Sequence, residues 1–142
     1  MDRYGPASTM TAQETDATPA AVLRKVLSLL DDRGIVWCIS HGYEKLPKSW
    51  GTDIDIVIER SVTAADIHGL LDIHAEEIGA RTAGQRGMFV TLAIAQTAGP
   101  PQFLMLDFAH DVTCGRHLLY HGETVLARRR RRGNIWIPAP GT

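Results

Sequence analysis

The chain has 142 residues, of which 44% are hydrophobic, 22% charged and 6% aromatic. This composition is typical of one globular domain, and it excludes collagen, coiled-coil and wholly disordered chains. The longest apolar runs are far shorter than the roughly 20 residues that a membrane span needs. The first residues also lack the apolar stretch of a secretory signal. We therefore expect a cytoplasmic protein without a membrane partner.

The net charge of −1 is unevenly distributed along the chain. Five of the 15 Lys and Arg residues form one run, Arg128–Arg132. With that run set aside, 10 basic residues stand against 16 acidic ones, a balance of −6. An acidic body argues against broad binding to nucleic acid and suits a domain that holds cations through carboxylates. The arginine run is interpreted as a solvated segment, with contact to phosphate groups as the alternative.

The first third of the chain predicts a tail, a helix and two strands. Residues 1–17 lack hydrophobic periodicity and are predicted to be a flexible tail, which leaves 18–142 as the domain. Thr18 and Pro19 are typical of a helix start, and an apolar stripe at helical spacing predicts a helix over about 19–33. The apolar runs 35–40 and 53–58 predict strands, with a Gly- and Pro-containing loop between them.

The remaining elements are predicted in the same way. Thr63 begins a second helix that Gly79 ends. Strands are predicted near 80–83, at 88–95 and at 102–108, the last two joined by a Gly-Pro turn as an antiparallel hairpin. A strand at 118–120, a turn or short helix at 123–131 and an extended end at 135–140 follow. This order predicts an α/β (α+β) fold: a mixed β-sheet with helices packed mainly on one face.

Two aspartates lie on the second predicted strand, at positions 53 and 55. Side chains at i and i+2 of a strand point to the same face, with Cβ atoms roughly 6.5–7 Å apart. Two carboxylates there repel each other, and a divalent cation such as Mg²⁺ between them relieves the repulsion. The alternative is a pair of aspartates that face water at a sheet edge.

A third carboxylate, Asp107, interrupts the otherwise apolar run 103–108. Such a run predicts a central strand covered on both faces, where a lone carboxylate needs a partner. Three carboxylates on neighbouring strands can hold two metal ions roughly 3.5–4 Å apart, an arrangement used for displacement at phosphorus. The alternative is that Asp107 caps a turn or pairs with Arg86 or Arg116.

Ser40, His41 and Gly42 follow the first predicted strand, where a glycine lets a phosphate approach backbone N–H groups closely. A strand, Gly42, the Asp53-x-Asp55 pair and a later Asp107 together resemble the nucleotidyltransferase superfamily with the polymerase-β-like fold. More narrowly, Gly-Tyr-Glu-Lys-Leu-Pro at 42–47 followed by Asp-Ile-Asp is similar to bacterial nucleotidyltransferase-like domains with a Gly-Tyr-Glu-x-Leu-Pro…Asp-Ile-Asp pattern.

The resemblance implies a nucleotidyltransferase core and an enzyme that uses Mg²⁺ or Mn²⁺. Such an enzyme moves a nucleoside monophosphate from an NTP such as ATP to an acceptor, here a small molecule or sugar rather than nucleic acid. The residues that it implies are the catalytic and metal-binding Asp53, Asp55 and Asp107, and the nucleotide-binding Ser40, His41, Gly42, Lys45 and Lys48.

Two departures from the family pattern define the alternative function. Tyr43 stands where most members have a small residue that lets the loop wrap the triphosphate. The chain also has almost no room for an acceptor domain, so a homodimer or a partner subunit would supply that site. The alternative is a catalytically degenerate protein of the same fold that acts as a binding or regulatory module.

Overall fold

The computed structural model of the chain describes residues 17–41 and 53–140. The first part of the fold contains helices and the strands of one large sheet. These elements are α1 (Pro19–Asp32), β1 (Trp37–His41), β2 (Asp53–Ile58), α2 (Ala64–Ile73), α3 (Ala75–Ile78), β3 (Ala80–Arg86), β4 (Phe89–Ile94) and β5 (Phe103–Ala109). The last third contains shorter elements, namely β6 (Val112–Cys114), β7 (His117–Tyr120), α4 (Gly122–Ala127), β8 (Arg130–Arg132) and β9 (Ile135–Ile137).

The large sheet has the strand order β1-β2-β5-β4-β3. Strands β2 and β5 are parallel, and the other neighbours are antiparallel. The predicted mixed α+β class is therefore confirmed, as is the antiparallel hairpin of β4 and β5. Two separate two-stranded ribbons, β6–β7 and β8–β9, accompany this sheet.

The main hydrophobic core lies between one face of the sheet and the helices α1, α2 and α3. Helix α1 begins because the Thr18 side chain accepts a hydrogen bond from the Ala21 N–H, with Pro19 in the first turn. Its apolar stripe is buried against alternate residues of the strands. The core includes Val22, Val26 and Leu30 of the helix and Ile54, Ile56, Leu104, Leu106, Val90 and Leu92 of the sheet.

Within the described residues, the opposite face of the sheet is covered only in part. A second, smaller cluster there contains Cys38 and Val57 from the sheet and Val112, Val125 and Leu126 from the last third of the chain. Cys38 is fully buried, and burial raises the pKa of its thiol to about 12. The uncovered remainder of this face is where the acidic residues lie.

Several predictions about individual elements were wrong. Strand β5 is central in the sheet, but it is not covered on both faces, since Phe103, Met105 and Asp107 alternate with its buried residues. The second predicted helix is two helices, interrupted at His74, whose backbone leaves helical geometry. The predicted end of this helical segment is nevertheless confirmed, because Gly79 ends α3 with a φ of 81°.

Part of the arginine run forms β8, which sequence periodicity did not predict. Strand β8 pairs with β9 in antiparallel register, so Arg131 lies opposite Trp136. The Arg129 guanidinium stacks 3.8 Å from the centroid of the Trp136 ring and donates a hydrogen bond to the Trp37 carbonyl oxygen at 2.8 Å. Arg131 stacks at 4.6 Å from the same ring and forms a salt bridge with Asp31 at 3.8 Å. Arg129 thus links Trp136 of the C-terminal ribbon to β1, and Arg131 links the ribbon to α1.

The N-cap of α1 provides a stability test. Replacing a threonine N-cap by alanine leaves a helix N–H without its acceptor, so Thr18→Ala should lower the free energy of unfolding by about 1 kcal/mol. Chemical denaturation measures this change. Ser28→Ala, on the exposed side of the same helix, is the control and should change stability by less than about 0.5 kcal/mol. An equal effect of the two substitutions would contradict the capping role.

The arginine run provides a second test. Arg129→Gln removes the ring stacking and the hydrogen bond to the Trp37 carbonyl, so we expect a loss of about 1–2 kcal/mol in the free energy of unfolding. Arg130→Gln, at an exposed neighbouring position, should cost less than about 0.5 kcal/mol. Thermal or urea unfolding measures the free energy of unfolding of both variants. Equal losses for the two would contradict the packing role of Arg129.

Candidate functional site

The acidic residues meet through the parallel pairing of β2 with β5. In that register Asp55 is the Cα partner of Asp107, and Asp53 is the partner of Met105. Paired residues of neighbouring strands point to the same face, with the strands about 4.8 Å apart. The three carboxylates that the sequence singled out therefore share the partly uncovered face of the sheet.

The local sequence explains why this face is acidic and the other apolar. In β2 the buried Ile54 and Ile56 point to the main core, which directs Asp53 and Asp55 to the opposite side. In β5 the buried Leu104, Leu106 and Phe108 do the same for Asp107. A slip of either strand by one residue would bury the carboxylates in the main core, so the alternating pattern fixes the register.

An open cleft of about 120 Å³ lies beside these residues. Ser40 of β1 lines it, and its hydroxyl donates a hydrogen bond to the Asp55 carbonyl oxygen at 3.4 Å. His41 is the Cα partner of Asp55 across a local irregularity in the β1–β2 register. The cleft is lined by Ser40, Asp55, Ile56, Val57, Asp107, Ala109, Asp111, Val112 and Thr113.

Asp107 has a perturbed acidity. Partial burial raises the pKa of its carboxyl, and the negative charge of Asp53 raises that pKa further. Among the described residues no salt bridge joins Asp107 to Arg86 or Arg116; the salt bridges within this part of the chain involve other pairs. The carboxyl therefore faces a like charge without a compensating guanidinium, a situation in which a bound cation would be favourable.

Sequence reasoning missed Asp111, which also lines the cleft. Its Oδ1 accepts hydrogen bonds from the Gly122 N–H at 2.9 Å and from Arg60 at 2.6 Å, and these bonds lower the pKa of the carboxyl. A Cβ at Gly122 would overlap the carbonyl oxygen of His110, so only glycine allows α4 to start this close. Asp111 thus anchors the cleft wall. The signal in the sequence was weak, because an acidic residue after a strand is common.

Three of the predicted nucleotide-binding residues, Gly42, Lys45 and Lys48, lie outside the described residues, as does Tyr43. Ser40 lies at the cleft and the backbone of His41 lies beside Asp55. Two of the five residues predicted to contact the nucleotide therefore lie on β1, next to the strand that carries Asp53 and Asp55.

The donor set suits a hard divalent cation, since Mg²⁺ and Mn²⁺ prefer carboxylate oxygens. Asp53, Asp55 and Asp107 supply such oxygens from two adjacent strands on one face. Within 17–41 and 53–140, no three His, Cys, Asp or Glu side chains are already gathered around one point. The support for a cation site is thus that the three aspartates lie on one face of the sheet and that their negative charges repel one another. It is not a preformed set of coordinating side chains.

Neither a scan against protein-family models nor a search of curated proteins found a match for this chain. In the part of the chain that the structure describes, no helix combines the length and apolarity required to cross a bilayer.

The raised pKa of Asp107 predicts a pH dependence of stability. The pKa of this carboxyl is higher in the folded than in the unfolded chain. Its contribution to the free energy of unfolding is therefore most favourable below the unfolded pKa and becomes less favourable as pH rises through the folded pKa. In metal-free buffer, Asp107→Asn should therefore be more stable than the wild type at pH 7. This advantage should vanish below the ordinary aspartate pKa of about 3.9.

The control for this experiment is Asp111→Asn. The pKa of Asp111 is lowered in the folded chain, so its contribution is present above the unfolded pKa and is lost as pH falls through the folded one. That variant should accordingly be less stable than the wild type at pH 7. Denaturant unfolding across the pH range measures both, and a destabilised Asp107→Asn at neutral pH would contradict the repulsion described here.

Proposed function

We propose that the chain is a metal-dependent nucleotidyltransferase that moves a nucleoside monophosphate from an NTP to an acceptor. The observation that carries the proposal is the β2–β5 register, which puts Asp55 beside Asp107 and on the same face as Asp53, next to an open cleft. Two-metal displacement at phosphorus requires carboxylates in such an arrangement. The motif resemblance of residues 42–55 and 107 supports the same activity and the corresponding nucleotidyltransferase core.

In this proposal Asp53, Asp55 and Asp107 would hold the metal ions. When bound, Mg²⁺ or Mn²⁺ would supply positive charge that offsets the charge of the triphosphate and the charge that develops during transfer. Ser40, the backbone around His41 and Gly42, and Lys45 or Lys48 would contact the phosphates. The cleft is smaller than the roughly 300–1,000 Å³ of typical ligand pockets, so the nucleotide would extend beyond it.

Asp107 is suited to take the proton of the acceptor. Asp107 lines the cleft, so its carboxylate would face the hydroxyl of an acceptor bound there. In the proposed step the acceptor oxygen forms a bond to the α-phosphorus, and the bond from that phosphorus to the β-phosphate oxygen breaks. Pyrophosphate leaves, and the acceptor proton passes to Asp107 and then to solvent.

Isothermal titration with Mn²⁺ and a non-hydrolysable ATP analogue tests the proposal. The wild type should bind the analogue only in the presence of Mn²⁺. Asp55→Asn and Asp107→Asn should each weaken binding about tenfold or more, because each removes a charged oxygen ligand. Asp32→Asn, an exposed position on α1 across the sheet from the site, is the matched control and should bind as the wild type does.

Two results would overturn the proposal. The first is no metal-dependent binding of the analogue by the wild type. The second is unchanged binding by both site variants. Absence of triphosphate binding in a folded chain would favour the alternative, a degenerate domain of the same fold that serves as a binding or regulatory module.

A further inference from the structure

Among the residues that the structure describes, the uncovered face of the sheet continues from the acidic residues towards the edge strand β3. Two rows of side chains cross it, defined by the strand registers. One row runs Asp55, Asp107, Phe89 and Arg86, from β2 through β5 and β4 to β3. The adjacent row runs Asp53, Met105, Thr91 and Gly84. The face therefore changes from acidic to apolar to basic across four strands.

The middle of this face forms a shallow apolar platform. Phe89 and Met105 are half-buried, and Phe103 at the end of β5 is 44% exposed. The small cluster that covers the neighbouring half of the face contains no residue of β3 or β4. An aromatic ring and a thioether beside paired carboxylates offer a surface for a flat or apolar part of a ligand.

The far side of the platform is basic. Arg86 is the Cα partner of Phe89 and so belongs to the uncovered face. It is exposed, and within the described parts of the chain it forms no salt bridge. Since Arg86 lies two strands from Asp107, their backbones are about 9.6 Å apart. A small molecule can span that distance.

Gly84 keeps the platform open. A Cβ built at this glycine meets no atom within 4 Å, and its backbone is not among the left-handed glycines. Gly84 follows an irregularity in the β3–β4 register after Thr82, and neither a left-handed backbone nor close packing requires glycine at this position. A side chain added at Gly84 would instead stand on the uncovered face, beside Thr91 and next to Arg86.

The face carries carboxylates at one side, an apolar middle and an arginine at the other side. From this order we infer that the platform of Phe89 and Met105, together with the neighbouring Gly84, Thr91 and Arg86, is the acceptor subsite. It takes a small molecule with a flat or apolar part and a phosphate or carboxylate group. The anionic group binds Arg86, the apolar part lies on Phe89 and Met105, and the reacting oxygen lies at Asp107. The acceptor role rests on the proposed nucleotidyl transfer.

Amide chemical shifts of the ¹⁵N-labelled full chain test the subsite, with phenyl phosphate, benzoate and phenol as probes. Phenyl phosphate, benzoate or both should cause saturable shifts at the amides of β3 and β4, and the comparison shows which anionic group is preferred. Phenol, which lacks the charge at neutral pH, should bind at least about tenfold more weakly. Equal binding of phenol, or no saturable shifts on β3 and β4 with either anion, would overturn the inference.

Two variants with matched controls locate the binding. Arg86→Gln should weaken anion binding about tenfold, while Lys25→Gln, which removes one exposed charge on α1, should not. Gly84→Val should reduce binding by occupying the platform. Gln85→Val adds the same side chain to the next position of β3, which points to the other face, and should leave binding unchanged. Equal effects of a variant and its control would contradict this location.

The titration with the ATP analogue separates the two proposals. Arg86→Gln and Gly84→Val should bind the analogue as the wild type does. If the analogue binds and the anions do not, the acceptor subsite is wrong and nucleotidyl transfer stands. If the anions bind on β3 and β4 but the analogue binds nowhere, nucleotidyl transfer is wrong and the acceptor role falls with it.

Discussion

The parallel pairing of β2 with β5 is the constraint on which the candidate site depends. Asp53 and Asp55 would be near each other in any strand, but Asp107 reaches them only because β5 enters the sheet next to β2 in a defined register. That register is set on the other face, where Ile54, Ile56, Leu104 and Leu106 fill the main core. Apolar burial therefore supplies the free energy that holds like charges on one face. The pKa of Asp107 is raised first by partial burial and then by the charge of Asp53.

Much of this arrangement could be predicted from the sequence because it follows from strong local patterns. The cap at Thr18, the alternation in residues 53–58 and the turn before residue 102 predicted elements whose type the structure confirms. Burial on both faces of β5 was predicted wrongly, since the apolar run includes Phe103 and Met105, which face the open side. A run of hydrophobic residues does not distinguish a buried face from a half-exposed platform, because that difference depends on which later elements cover the sheet.

The last third of the chain illustrates a second limit of sequence reasoning. A run of five arginines has no apolar periodicity, and so it was interpreted as solvated. In the structure Arg129 and Arg131 stack on Trp136, and Arg131 pairs with Asp31. Guanidinium groups can serve as packing surfaces once an aromatic ring and a carboxylate are brought to them, and only the tertiary structure brings them. The same segment helps to cover the cluster around Cys38 and Val57, and so decides how much of the sheet face stays open.

The distance in sequence between the paired aspartates has a consequence for folding. Asp55 and Asp107 are 52 positions apart, and a crossover with two helices and two strands separates β2 from β5. Neither the β1–β2 hairpin nor the β4–β5 hairpin contains all three carboxylates, so no local fragment of the chain carries the site. Long-range pairing of this kind closes a large loop and tends to form late. A ligand that needs all three carboxylates would therefore bind only the fully assembled sheet, and its binding free energy would stabilise the global fold rather than one segment.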